Sequence, residues 1–237
     1  QCSVPSGLFG VTAVAAGSEH SLALVVPANQ TITFGPLANK TYRDPDFSVS
    51  ATASSGLAVS FAASGNCTVS GATVHLTGAG SCTVTALQAG NVNYNPAPDV
   101  SRTFAITKAG QTITFGPLAN KRYGAPDFRV SATASSSLAV SFAASGRCTV
   151  SAATVHLTGA GSCTVTASQP GDGNYNAAPD VSRSFSITRP PCRVPKVVGN
   201  RVASARLTIA RRHCRTGKVG YVYSRLRKKG VVISQSR

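Results

Sequence analysis

"CTVSGATVHLTGAGSCTVT", residues 67–85, returns as "CTVSAATVHLTGAGSCTVT", residues 148–166. The copies lie 81 positions apart, and the same offset carries Gln30 onto Gln111 and Tyr94 onto Tyr175 without a gap. A period this long marks tandem domains, because solenoid turns repeat every ~20–50 residues. Within the stretch Cys82, Val84 and Ala86 share one parity, and Thr83 and Thr85 the other. A strand here turns its cysteine and its apolar residues to one face. Cys67 and Val69 follow the same alternation.

Outward from this stretch, each copy reads as short strands between turn signals. In the first copy "QTITF", "DFSVSATA", "LAVSFAA", "CTVS", "TVHLT", "SCTVTA" and "SRTFAIT" are separated by "FGPLANK", "SSG", "SGN", "GAG" and "QAGNVNYNPAPD". Strands in this number and at this spacing predict an immunoglobulin-like sandwich. The fold class expected is mainly β: two tandem immunoglobulin-like β-sandwiches, at 29–108 and 109–189, plus a small C-terminal α+β module at 190–237. Residues 1–28 read as a leader or partial blade.

Seven cysteines occur, and six fall into local pairs: Cys67 with Cys82, Cys148 with Cys163, and Cys192 with Cys214. Cys2 is left over and is expected to be free. The spacings lack C-x2-C and His-rich companions, so disulfides are preferred to a metal site. Disulfides imply an oxidising, extracytoplasmic setting. A bridge closing a loop of about 16 residues contributes ~3 kcal/mol in the chain-entropy model. In a flat meander the first and third strands lie ~9–10 Å apart. A disulfide needs Cα atoms within ~7 Å. "GAG" at 78–80 must therefore carry the last strand across to the other sheet.

The composition argues against an enzyme: 237 residues contain no Trp, no Met, only seven acidic residues and four His. No signal peptide is legible at the N-terminus, and no run is long and apolar enough for a membrane span. The chain is read as part of a longer or processed protein.

"QTITFGPLANKTYRDPDF", "SGNCTVSGATVHLTGAGSCTVTA" and "QAGNVNYNPAP" resemble the MBG-type immunoglobulin-like repeats of large bacterial surface proteins. The resemblance covers both copies. It implies a spacer or adhesion stalk on the cell surface, without catalytic residues. One loop departs from the family pattern: it reads Thr41-Tyr42-Arg43-Asp44-Pro45 in one copy and Arg122-Tyr123-Gly124-Ala125-Pro126 in the other.

Residues 11–24, "VTAVAAGSEHSLAL", resemble the end of an RCC1-type repeat, with Gly17, His20 and Leu22 in matching places. That implies a β-propeller lying upstream. At the other end, residues 190–237 hold thirteen Lys or Arg and no Asp or Glu, most of the chain's net +16. "VASARLTIARRH" sets Val202, Ala205 and Ile209 at helical spacing; "KVGYVYSR" and "GVVISQS" read as strands. "CRVPKVVGN", the helix, Gly217-Lys218-Val219 and the closing "GVVISQS" resemble a PASTA domain. That family implies an extracellular module engaging cell-wall peptidoglycan.

No catalytic constellation is legible: there is no G-x-S-x-G elbow and no carboxylate pair. His75 and His156 share parity with threonines and are expected to face solvent, and His213 is expected at a helix C-terminus. Asp44, Asp46 and Asp127 do not form a calcium loop. No catalytic, cofactor or metal residue is expected. Arg211, Arg212, Arg215, Lys218, Arg225, Arg227, Lys228 and Lys229 are the candidate contacts for an anionic polymer. The partner expected is peptidoglycan or another wall polymer. Nucleic acid, a merely solvated basic face, or a non-catalytic part of a larger secreted enzyme are the other readings. Tyr221 and Tyr223 fit either a stacking platform or a core.

Overall fold

The computed structural model describes residues 10–18, 21–223, 225–226 and 228–235. The expectations at Cys2, His20 and Arg227 fall outside the described residues. Strands β1 (Val11–Ala16) and β2 (Ser21–Val25) pair as an antiparallel hairpin. The first repeat contributes β3 (Ile32–Phe34), β4 (Lys40–Thr41), β5 (Phe47–Ser48), β6 (Ala51–Ala53) and β7 (Ser60–Gly65). It continues with β8 (Cys67–Ser70), β9 (Thr73–Leu76), β10 (Gly80–Leu87) and β11 (Val100–Thr107). The second repeat spells the same series, β12 (Ile113–Phe115) through β20 (Val181–Thr188). One helix, α1 (Val202–Arg211), follows.

Each repeat is an immunoglobulin-like sandwich. In the first, one sheet has the order β4-β11-β10-β7 and the other β5-β9-β8, with β3 and β6 as a further pair. All these pairings are antiparallel except that of β4 with β11. The alternation of the sequence becomes the burial pattern of β10, where Cys82, Val84 and Ala86 are fully buried. Val74, Phe104 and Ile106 complete the centre, and Phe47 meets Phe104 edge-on at 5.7 Å. Burying each large side chain contributes ~1.5–3 kcal/mol relative to exposure. Outward-facing hydroxyls pair across the strands instead: Thr83 with Thr103, and Thr85 with Ser101, both at 2.8 Å.

Two corners close each sandwich. At the first, β7 leaves its sheet at Gly65 and the chain enters the other sheet at Cys67. Gly65 has φ +88°, and a Cβ on it would lie 2.3 Å from the Ser81 carbonyl oxygen. Only glycine fits that approach. Gly146 repeats it, with φ +92° and 2.4 Å to the Ser162 oxygen. At the second corner, residues 77–79 carry the chain from β9 to β10 in the opposite sheet. This is the crossing that the disulfide geometry demands.

The described fold divides into two compact units, the first of residues 1–112 with 170–178, the second of 113–169 with 179–237. Within the first unit, residues 170–178 clasp the strand entry at Ala109, whose N–H bonds Asn174 O at 2.9 Å and whose carbonyl accepts from Asn176 N–H at 2.9 Å. Residues 89–97 clasp Ala28 by equivalent bonds. Also in this unit, Tyr175 meets Tyr42 edge-on at 5.6 Å, and its hydroxyl accepts from Arg43 Nε at 2.8 Å. That bond raises the Arg43 pKa further. In the second unit Val155, Cys163 and Val165 are fully buried, with Phe185 and Ile187 beside them.

The C-terminal segment differs from its expected α+β form. The helix is present and buries Ala205, but among the described residues neither expected strand is assigned; Arg201 and Val231 make an isolated bridge. Among the described residues of 215–229 no strand is assigned, and Gly217 and Gly220 interrupt the run.

Candidate anionic-ligand surface

The basic residues sit on a small knot built from local bonds. Val197 is the apolar anchor of residues 190–200, and its N–H bonds Gln235 Oε1 at 2.6 Å. Gln235 Nε2 returns a bond to Pro195 O at 3.0 Å. The Gly199 N–H bonds Val232 O at 2.8 Å, and the Val202 N–H bonds Gly230 O at 2.9 Å. Chain entry and chain exit are thereby pinned together beside the start of α1. The disulfide Cys192–Cys214, with Cα atoms 4.9 Å apart, ties the entry to the helix end. His213 follows the C-cap residue Arg212 with φ +58°, and its N–H bonds Ala210 O at 3.0 Å.

On this knot Arg206, Arg211, Arg212, Arg215, Lys218, Arg225, Lys228 and Lys229 are all exposed. Arg211 lies in the last helical turn, where a cation complements the helix dipole. No acidic residue occurs in 190–237, so these cations have no local counter-charge. Their field sums, and it extends about 8 Å into solvent at physiological salt. Tyr221 and Tyr223 lie outside any core, at 80% and 90% exposure. Of the two readings open to them, burial is excluded.

The other polar constellations are small. His75 Nδ1 lies 2.7 Å from Asp46 Oδ1, and His156 Nδ1 lies 2.8 Å from Asp127 Oδ1. Both pairs are more than half exposed, on equivalent strands. Parity placed the histidines outward; their aspartates come from a loop 29 residues earlier and were not legible as partners. Among the described residues, no three His, Cys, Asp or Glu gather as for a metal ion. A recess of about 420 Å³ in the first unit has Lys108 as its one charged lining residue, so no acid–base pair converges there. No helix among the described residues is long and apolar enough to cross a membrane.

The fold and this surface define a class: disulfide-stapled tandem β-sandwiches of the extracellular kind, ending in a basic segment. No family model and no curated protein matches the chain. Among solved structures it is similar to Drosophila N-cadherin EC1-4, at 12% identity and TM-score 0.27, over 74% of this chain and 56% of that one. It is similar to Drosophila N-cadherin EC1-3 at 13% identity and TM-score 0.27, over 70% of this chain and 68% of that one. Sidekick-1 immunoglobulin domains 1-4 match at 12% identity and TM-score 0.24, over 78% of this chain and 59% of that one. The chain thus spans little more than half the length of the N-cadherin EC1-4 structure.

Proposed function

We propose that this chain is a non-enzymatic scaffold of a bacterial cell surface. In this reading residues 29–108 and 109–189 are MBG-type immunoglobulin-like spacers, and residues 1–28 end an RCC1-type propeller blade. Residues 190–237 are a PASTA-like module that contacts peptidoglycan or another anionic wall polymer. The carrying observation is the set of exposed Lys and Arg in 190–237 without a single acidic residue. Three disulfides support the extracellular setting.

The test is co-sedimentation of the chain with purified peptidoglycan across a salt series, with duplex DNA as the competing ligand. Wall material retained at physiological salt in preference to DNA supports the reading. Preference for DNA replaces it with the nucleic-acid alternative.

A further inference from the structure

In the sandwiches most large apolar side chains are buried or half-buried, although Val92 is 66% exposed, but Tyr221, Val222, Tyr223 and Leu226 do the reverse. Tyr221 is 80% exposed, Val222 72%, Tyr223 90% and Leu226 93%. This apolar group lies in a loop held at its base. Cys214 is fixed by its disulfide to Cys192, and Gly230 by the Val202 N–H. Between these anchors the exposed Arg215, Lys218, Arg225, Lys228 and Lys229 flank the apolar residues.

We propose that the described residues of 215–229 dock on the surface of an anionic lipid bilayer. An anionic polymer in water rewards the cations alone. Tyrosine rings can stack on sugars or bases, but Val222 and Leu226 gain nothing from phosphate, carboxylate or hydroxyl groups. A bilayer interface accepts all three residue types. Its headgroups meet Lys and Arg, its upper acyl carbons meet Val and Leu, and the boundary suits the amphipathic ring of tyrosine. Charge complementarity selects an anionic leaflet over a neutral one, since residues 190–237 carry thirteen cations and no acid. Long Lys and Arg side chains let the charge stay at headgroup level while the loop enters. This inference goes beyond the wall-polymer reading and uses residues that reading leaves idle.

The full chain is mixed with phosphatidylcholine vesicles, with and without phosphatidylserine, and binding is read by co-sedimentation at low and physiological salt. The natural chain contains no Trp, so a Tyr223→Trp variant supplies a single emission reporter. Binding to the serine-lipid vesicles alone is expected, with a blue-shifted emission quenched by lipids brominated near the headgroup. Changing Arg225 and Lys228 to Gln is expected to weaken binding about 25-fold, at roughly fivefold per charge. Changing Val222 and Leu226 to Ser is expected to keep binding at low salt and lose most of it at physiological salt, with the emission shift gone. These side chains are exposed, so the disulfide and helix content serve as the check that the variants remain folded. An unshifted emission with bound vesicles overturns the proposal, as does equal binding by the Ser variant at physiological salt. Retention on wall polymer or DNA with no vesicle binding overturns it too, and leaves the polymer reading standing or replaced on its own test. Vesicle binding without polymer binding supports it and removes the polymer reading.

Discussion

Cys67 and Cys82 stand in different sheets, their Cα atoms 5.6 Å apart, and a disulfide joins them across the sandwich. Cys82 pairs in register with Gly65, and Cys67 follows two residues after Gly65. The corner, the cysteine pair and the sheet crossing are therefore one device. Cys148, Cys163 and Gly146 repeat it with the same 5.6 Å separation. A sandwich of about 80 residues has a small core, and a staple of this kind offsets that deficit.

Removing the staple is expected to be costly. Cys67→Ala combined with Cys82→Ala should lower the stability of the first sandwich by ~3 kcal/mol. Chemical denaturation followed by tyrosine fluorescence checks this. A change below about a third of that value would show that the bridge does not constrain the unfolded chain.

The corner glycines should tolerate no side chain. Gly65→Ala and Gly146→Ala each place a methyl group against a backbone oxygen and also force a left-handed L-residue. A loss of about 3 kcal/mol is expected from strain and overpacking together. Gly56 also has φ +75° but faces open space, so Gly56→Ala should cost only about 1 kcal/mol. The contrast between the two kinds of site is what thermal unfolding would measure.

The repeats supply their own stabilising substitutions. Ser137 (φ +66°) and Ala152 (φ +50°) are left-handed where the first copy has Gly56 and Gly71. Ser137→Gly and Ala152→Gly should each stabilise the second sandwich by about 0.5–1 kcal/mol, once glycine's greater unfolded-state entropy is subtracted. A rise in denaturation midpoint at unchanged slope is the expected readout.

The C-terminal disulfide should matter locally. Cys192→Ser with Cys214→Ser is expected to speed amide exchange at Ala205 and Val197 while the sandwiches keep their protection. It should also reduce any salt-resistant ligand affinity, because a disordered segment retains its charge but not its shape. Unchanged exchange in 190–214 would show that the hydrogen bonds around Gln235 hold the knot unaided.

Much of this protein is written in its one-dimensional pattern. The 81-residue offset determines that two domains share one architecture, since the same side chains must find the same burial. Alternation at Cys82, Val84 and Ala86 determines which face is core, because a strand's side chains have period two. Cysteine spacing, joined to the reach of a disulfide, already required the crossing at 78–80. The exposure of His75 and His156 was legible by the same parity.

What only the tertiary structure decided depends on partners distant in the chain. Gly65 is indispensable because the Ser81 oxygen approaches it, and nothing within "SGN" announces that. The partners of the two histidines, and the Arg43–Tyr175 bond across 132 positions, are likewise set by folding alone. In 215–229 local pattern and outcome part company. The β-branched and aromatic residues read as a strand, but a strand needs a neighbour to take its N–H and C=O groups. No ladder is assigned there among the described residues, and the side chains of Tyr221, Val222, Tyr223 and Leu226 remain at the surface.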